Sequence, residues 1–181
     1  MARTRPVYIP VGGPPQIDPP STEIFPALGE TGVFQMLEDL YARLEESSVR
    51  HLFPEDMVAA SRKSGAFFVQ LLGGPPLFSQ QYGPPRLRAR HLPFEIDQAA
   101  RDVWVACFED VLENAVERYG FPEEHLAGFR SFLGAAGVLL AWAAVLLVTV
   151  ARSGRELSIE SAIRRPHVVQ MFAQGSVLLW W

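Results

Sequence analysis

The sequence predicts an all-α fold built around one hydrophobic core. Apolar residues recur at steps of three and four along several segments, which is the period of an amphipathic helix. Clusters of proline and glycine separate these segments, and we find no segment that alternates apolar and polar residues as a half-buried strand does. The chain has 181 residues, of which 49% are hydrophobic and 20% charged, so its composition is that of a packed domain with extensions.

Composition also excludes several classes of function. The net charge of −4 offers no basic surface for phosphates, so nucleic acid is not an expected partner. Because Cys107 is the single cysteine, no internal disulfide is possible, and it forms no zinc motif with the four histidines. We expect Cys107 to be a buried small hydrophobe.

The first residues of the chain lead into prolines rather than into an apolar run. We therefore expect no secretory signal and a cytoplasmic location, with membrane association as the alternative.

The first element is an arm, because residues 1–26 include seven prolines and proline has no backbone N–H to donate. We expect an extended conformation there. From Thr31 the pattern changes to that of a helix ending near Ser47. The buried stripe of this helix is expected to consist of Val33, Phe34, Leu37, Leu40, Tyr41 and Leu44.

A second helix is predicted over about residues 56–72, with small residues near its start and bulky apolar residues at its end. Gly65 costs roughly 1 kcal/mol relative to alanine inside a helix, so it suggests that another backbone or a bound group approaches closely there. Gly73, Gly74 and two prolines end the helix, and we expect a loop as far as Pro85.

Three further helices are predicted in the rest of the chain. A short helix over residues 86–91 is broken by Pro93, and a long helix over 97–118 ends before Gly120. The last helix begins near Pro122, whose missing donor suits a first turn, and the two glutamates that follow face the positive end of the helix dipole.

One histidine stands out at the end of the short helix. His91 precedes Leu92 and Phe94, and three arginines alternate before it, at positions 86, 88 and 90. A neutral imidazole held on a helix and backed by apolar residues is a ligand for haem iron, and arginines suit the two propionates of haem. The alternative is an ordinary surface histidine in a solvated basic turn.

Three motifs in the central part of the chain carry a resemblance to a known family. They are Gly73-Gly-Pro75, Pro85-Arg-Leu-Arg-Ala-Arg-His-Leu-Pro-Phe94 and Arg101-Asp-Val-Trp-Val-Ala-Cys107. With these motifs the sequence resembles the truncated haemoglobins, specifically the group with a tryptophan in the distal pocket, often called group II. The resemblance covers roughly residues 28–140.

The resemblance implies a truncated-globin fold, a two-over-two helical sandwich around one haem b. His91 is then the proximal ligand of the iron, while Tyr41 and Trp104 donate hydrogen bonds on the distal side. From the second helix, Ala60 and Ser64 face the ligand. The other residues expected to contact haem are Phe53, Lys63, Phe68, Arg90 and Phe94. Without the resemblance, Tyr41 and Trp104 are each compatible with an ordinary place in the core.

The resemblance divides the chain into a proline-rich arm (1–27), a globin domain (28–151) and an apolar extension (152–181). Residues 132–151 carry no charge and are long enough to cross a bilayer. A helix that covers a haem cannot also lie among lipids, so we expect the domain and the extension to bury this segment. A homodimer interface or a membrane contact is the alternative.

These inferences together predict a haem-binding globin that reversibly binds oxygen or another diatomic ligand, as in oxygen transport. Nitric oxide detoxification and peroxidase activity are the reactions to consider, with a reductase as electron-donating partner. Two alternatives remain open. One is a haem-based gas sensor that signals through residues 152–181, and the other is a globin-like module without haem.

Overall fold

The structure is a computed structural model that describes residues 17–86, 91 and 96–152. Side chains are described as far as Gly137, and beyond it the helical backbone alone. Most of the predicted arm and nearly all of the C-terminal extension lie outside these residues. In chain order the elements are α1 (Ile24–Glu45), a 3-10 turn (Arg50–Leu52), α2 (Met57–Leu71), α3 (Leu77–Tyr82), α4 (Gln98–Leu112), α5 (Ala115–Tyr119) and α6 (Glu123–Arg152). Every regular element of the described part is helical, which confirms the predicted fold class.

Helix α1 begins at Ile24 rather than at Thr31, so the prediction of an extended arm as far as Pro26 is wrong for its last residues. Pro26 is the third residue of the helix, where the backbone N–H has no acceptor within the helix, so the missing donor costs nothing. Gly29 interrupts the helix with a kink, because its φ of +64° and ψ of 179° are not helical. The helix ends at Glu45, close to the predicted end.

Helix α2 lies where it was predicted. Its first turn is capped by Asp56, whose Oδ1 accepts a hydrogen bond from the backbone N–H of Ala59 at 2.8 Å. Gly65 faces α1, and a Cβ at this position would lie 2.6 Å from Cδ1 of Phe34. The close neighbour expected at Gly65 is therefore an aromatic ring of α1, and the prediction of a backbone or a bound group there is wrong.

The segment predicted as a loop before Pro85 contains a short helix, α3, so this prediction is wrong. Pro76 stands immediately before the helix, where a residue without a donor is tolerated. Phe78 is buried, and its ring meets Phe67 of α2 edge-on with centroids 5.8 Å apart. Packing of this ring explains why a helix forms in a sequence rich in glycine and proline.

The corner between α2 and α3 packs against the beginning of α1. Gly73 has a φ of +98°, a conformation that favours glycine, and a Cβ there would lie 2.8 Å from Cβ of Thr22. A Cβ on Gly74 would lie 2.7 Å from Cε2 of Phe25. The two glycines thus serve the turn and also the contact with the first residues of α1.

The long helix predicted over residues 97–118 is divided into α4 and α5. Asp97 caps α4, since its Oδ1 accepts a hydrogen bond from the backbone N–H of Ala100 at 2.9 Å. Asn114, with φ of −117° and ψ of 25°, is not helical and separates the two helices. Gly120 ends α5 in the left-handed conformation, as the sequence predicts.

Helix α6 begins with Glu123 and Glu124 in its first turn, as predicted. It continues as one helix of 30 residues to Arg152, so the charge-free segment 132–151 is a direct continuation of it. Among the residues that the structure describes, no helix has the length and apolar character needed to cross a membrane.

The helices pack mainly as two pairs, as expected for a two-over-two arrangement. Helix α1 lies against α2, helix α4 lies against α6, and α1 also contacts α4 and α5. The largest fully buried side chains come from both pairs and include Met36, Leu37, Leu40, Leu44, Leu72, Phe108, Leu112, Phe129 and Leu133. Phe68 belongs to this core, and the half-buried Tyr41, Phe53 and Trp104 pack against it.

A charged contact fastens α5 to α1. The Tyr119 hydroxyl donates a hydrogen bond to Oδ2 of Asp39, and Nη2 of Arg118 donates to Oδ1 of the same carboxylate at 2.8 Å. Burial raises the pKa of the Tyr119 hydroxyl, and the neighbouring carboxylate raises it further. The phenol therefore stays protonated and keeps donating to Asp39.

Candidate functional site

The distal residues predicted on α1 and α2 lie together. The Tyr41 hydroxyl is 2.7 Å from Oγ of Ser64, a hydrogen bond in which either hydroxyl can be the donor. Tyr41 also meets the Phe53 ring edge-on, with centroids 5.8 Å apart and an interplanar angle of 82°. Phe53 follows the 3-10 turn and is half-buried. The structure therefore brings three of the predicted site residues into direct contact.

The Tyr41 phenol is a hydrogen-bond donor at neutral pH. Burial raises the pKa of Tyr41, and the hydrogen bond with Ser64 opposes this only in part. A phenol that stays protonated has one proton, which it gives either to Ser64 or to another acceptor. Because Ser64 carries its own proton, the two hydroxyls together can always supply one donor to a third group.

Trp104 lies on α4 and packs against Phe108, whose ring contacts both helix pairs. Its indole meets Phe108 edge-on, with centroids 4.8 Å apart and an interplanar angle of 72°. Phe108 in turn contacts Phe68 of α2 at 5.7 Å and Phe129 of α6 at 6.5 Å. On the other helix, a Cβ at Gly137 would lie 3.7 Å from Cζ3 of Trp104. The indole thus packs against a core phenylalanine and lies near Gly137 of α6.

The other predicted residues of α2 take different positions. Phe68 is part of the core and is 8% exposed, while Ala60 and Lys63 are half-buried. The Lys63 ammonium lies 5.2 Å from the centroid of the Tyr82 ring on α3, a cation–π contact near the surface. Lys63 therefore places a positive charge where α2 and α3 meet.

His91 is helical and half-buried. The predicted haem contacts Arg90 and Phe94 lie outside the described residues, as do the other residues immediately around His91. Within the part of the chain that the structure describes, no group of three histidine, cysteine or acidic side chains could hold a bare metal ion.

The residues present fit a haem. The group needs one imidazole ligand, apolar walls and a polar donor that stays protonated. The chain offers the half-buried His91, the rings of Phe53 and Phe68, and a half-buried Tyr41 phenol whose partner is a neutral hydroxyl. These groups match the kinds of side chain that a haem would need.

Phe108 follows Trp104 by four residues, so the sequence already predicts that the two rings share one helix face. Sequence reasoning missed the other neighbour of Trp104, Gly137. Gly137 received no role, because a glycine in an apolar helix has no partner that sequence alone identifies. The position of Gly137 beside Trp104 depends on how α6 crosses α4, which no local sequence rule gives.

Two surface depressions lie away from these residues. One, of about 260 Å³, is lined by residues before α1 and by the start of α6, and there Oγ of Ser21 lies 3.4 Å from Nε2 of His125. The other lies along α1 between Glu30 and Glu38. Neither includes a predicted site residue.

Comparison with known proteins places this site in context. A family model described as bacterial-like globin matches residues 23–136. The group 2 truncated haemoglobin YjbI of Bacillus subtilis is 37% identical over 91 residues, which make up 50% of this chain and 69% of that protein. The match to the family model ends within α6, which continues to Arg152.

Solved structures share the fold. The crystal structure of phosphate-bound Hell's gate globin IV has a TM-score of 0.65 and 27% identity, covering 77% of this chain and 84% of that one. The X-ray structure of the truncated oxygen-avid haemoglobin from Bacillus subtilis has a TM-score of 0.57 and 32% identity, covering 64% and 96%. These similarities confirm the resemblance to group II truncated haemoglobins and the truncated-globin fold.

Proposed function

The chain belongs to the bacterial-like globin family, whose members bind haem, and we propose that it holds one haem b through His91 and binds a diatomic ligand reversibly. A bound haem would supply a ferrous iron that binds oxygen, nitric oxide or a similar ligand. The chain's own contribution is to ligate the iron, to enclose the flat ring among apolar side chains and to donate hydrogen bonds to the ligand.

The observation that carries this proposal is the hydroxyl pair of Tyr41 and Ser64. A buried polar group needs a partner, and here the partner is a second neutral hydroxyl only 2.7 Å away. Rotation about either C–O bond can direct a proton outward without leaving the other oxygen unpaired. Such a pair suits a ligand that gains negative charge on binding, as oxygen does, because a buried donor stabilises that charge strongly.

Other residues have simpler roles in the proposal. Trp104 is the second donor, through its indole N–H, and Ala60 faces the ligand from α2. Phe53, Phe68 and Phe94 enclose the haem ring. Lys63 and Arg90 place positive charges near the propionates. A half-buried ammonium near the edge of the α2 surface, as observed for Lys63, supports this assignment.

Oxygen is the ligand that this arrangement favours. Two neutral donors distinguish oxygen from carbon monoxide, since the bound form of carbon monoxide is far less polar. One relative of similar fold is a haemoglobin described as oxygen-avid, which supports the same preference here. Turnover of nitric oxide or peroxide would need an electron donor, so rapid reaction with either one in the presence of a reductase would extend the proposal from binding to catalysis.

The test replaces His91 with alanine in the full chain, with His51→Ala as the matched control. His51 is exposed, and its Nδ1 lies 3.1 Å from the carbonyl oxygen of Ser48 in a local contact. We expect His91→Ala to lose stable haem binding, seen as loss of the Soret band, while far-ultraviolet circular dichroism still reports a helical protein. A normal five-coordinate ferrous spectrum in His91→Ala would refute the assignment, and the control should keep its haem.

A further inference from the structure

We propose that Gly137 and Arg101 position the Trp104 indole, and so set the strength of the hydrogen bond that it donates. The part of this inference that concerns the ligand rests on the proposed function. The part that concerns the indole depends only on how α4 and α6 pack. Neither residue touches the ligand in this proposal, and both act through the tryptophan.

Gly137 lies on α6 opposite Arg101 and Trp104 of α4, with room for only a hydrogen atom on its Cα beside Arg101. It is buried, and a Cβ added there would lie 3.0 Å from Cγ of Arg101, closer than carbon atoms normally approach. The same Cβ would lie 3.7 Å from Cζ3 of the Trp104 ring, in full van der Waals contact. A methyl group at position 137 would therefore require the Arg101 side chain to shift by a few tenths of an ångström, and it would add a new contact with the Trp104 ring at an ordinary distance.

Arg101 links α4 to α6 next to Gly137. It lies on α4 three residues before Trp104, on the same helix face. Its Nη2 donates a hydrogen bond to the backbone carbonyl oxygen of Gly134 on α6 at 2.8 Å, and its Nη1 lies 2.7 Å from Oδ1 of Asp102. Since the arginine side chain is only 20% exposed and is held at two points, it cannot swing away freely when crowded.

Trp104 itself has little freedom to evade such a change. Phe108 lies against the indole, and Phe108 is fully buried between Phe68 and Phe129. Dense packing transmits a displacement of a few tenths of an ångström rather than absorbing it. A hydrogen bond weakens steeply with misalignment, so a small rotation of the indole changes the donated bond more than it changes the fold.

Two other glycines of α6 provide control positions, at which alanine affects the helix backbone without crowding α4. A Cβ at Gly128 would meet nothing within 4 Å, and at Gly134 it would lie 3.6 Å from Nη2 of Arg101, an ordinary contact. Glycine is unfavourable inside a helix, so alanine at any of the three positions should favour the helical backbone. Among these three positions, only at Gly137 would the added methyl group crowd the Arg101 side chain and also contact Trp104.

The experiment compares Gly137→Ala with Gly134→Ala and Gly128→Ala in the full haem-loaded chain. Each change is made both with Trp104 present and in a Trp104→Phe background, and the difference in near-ultraviolet circular dichroism isolates the Trp104 signal. We expect Gly137→Ala to alter this signal and to raise the oxygen off-rate roughly threefold, which corresponds to losing about half of one hydrogen bond. The two controls should leave both quantities unchanged.

A second variant addresses Arg101. Arg101→Lys keeps the charge and the aliphatic stem but cannot hold Gly134 and Asp102 with the same planar geometry. We expect it to shift the Trp104 signal in the same way, although less. A shifted signal with an unchanged oxygen off-rate would support the positioning role and count against the ligand role of Trp104. An unshifted signal in Gly137→Ala would overturn the inference, even if the variant were less stable.

Discussion

Tyr41 of α1 and Tyr119, which contacts α1 from α5, lie on opposite sides of this helix and have different kinds of hydrogen-bond partner. Asp39 and Tyr41 lie two residues apart on α1, so their side chains diverge. Toward α5, Asp39 accepts from the Tyr119 hydroxyl and is also held by Arg118. Toward α2, the Tyr41 hydroxyl pairs with Ser64, a neutral group that can either donate or accept.

The difference shows how a structural hydrogen bond can be told from one that is available for function. An ionised carboxylate can only accept a hydrogen bond, so a phenol bound to it must always donate its proton there. The carboxylate also raises the pKa of Tyr119, which keeps that proton in place. A phenol bound to a hydroxyl can exchange roles with its partner at small cost. Burial raises the pKa of both tyrosines, whereas the freedom to redirect a proton belongs to Tyr41.

The largest effect should come from the exchangeable phenol. Tyr41→Phe removes a donor to a polarised ligand, a bond worth about 2 kcal/mol, so the oxygen off-rate should rise roughly thirtyfold. Trp104→Phe should act in the same direction. Stopped-flow oxygen release measures this, with carbon monoxide release as a control that should change far less. Unchanged oxygen release in both variants would show that neither residue faces the ligand.

Tyr119→Phe should lower the stability of the fold and leave the oxygen off-rate unchanged. Removing a donor to a charged acceptor should lower the free energy of unfolding by about 1.5 kcal/mol, because Asp39 loses one of its two partners. Urea titration followed by circular dichroism measures this change. The oxygen off-rate should equal that of the parent protein. A faster release of oxygen in Tyr119→Phe would mean that the two sides of α1 are coupled and that the contrast drawn above is wrong.

Alkaline pH should weaken the α1–α5 contact in a predictable direction. Burial first, and then Asp39, raise the pKa of Tyr119 above its ordinary 10.0 in the folded state, while in the unfolded chain it ionises near that value. The contribution of Tyr119 to the free energy of unfolding is therefore fully present below pH 10, and it decreases as the pH rises above 10. About half a unit above 10, the loss should be about 0.8 kcal/mol.

The Tyr119→Phe variant should lose correspondingly less stability over this range when unfolding is measured on both sides of pH 10. Some dependence should persist, because burial also raises the pKa of Tyr41. An identical pH profile for the variant and the parent would show that Tyr119 does not stay protonated in the folded protein.

The smallest effect should come from Ser64→Ala. Ser64 anchors the Tyr41 oxygen and polarises its O–H bond, so its loss should cost about 0.7 kcal/mol and raise the oxygen off-rate roughly threefold. Ser61→Ala is a suitable control, since Ser61 is buried on the same helix but its hydroxyl donates to the backbone carbonyl of Val58 at 3.0 Å. Slower oxygen release in Ser64→Ala would mean that Ser64 competes for the Tyr41 proton.

Helix periodicity in the sequence was sufficient to place most of the fold. The position of α2, the end of α5 at Gly120 and the first turn of α6 follow from local rules of period, glycine and dipole, and all three are confirmed. Helix α3 was missed because Gly73 and Pro76 suggest a loop, and only the packing of Phe78 against α2 reveals the helix.

For the candidate site, the sequence predicted which helix face a residue occupies but not which residue of another helix it contacts. Tyr41 could be placed on a buried stripe, but its contact with Ser64 is between residues on separate helices, and no local rule gives that distance. Gly65 signalled a close approach, although its partner turned out to be the Phe34 ring. Sequence spacing identifies which face a residue occupies, whereas the crossing of two helices decides which side chain it meets.

The corner formed by Gly73 and Gly74 implies a constraint on how the family can vary. Because Phe25 occupies the space that a side chain at position 74 would need, the two positions should change together among relatives. A sequence with alanine or a larger residue at 74 should carry a smaller residue at 25, and glycine at 74 should accompany an aromatic residue there. The beginning of α1 and the end of α2, almost fifty residues apart in the chain, are thus expected to covary as one unit.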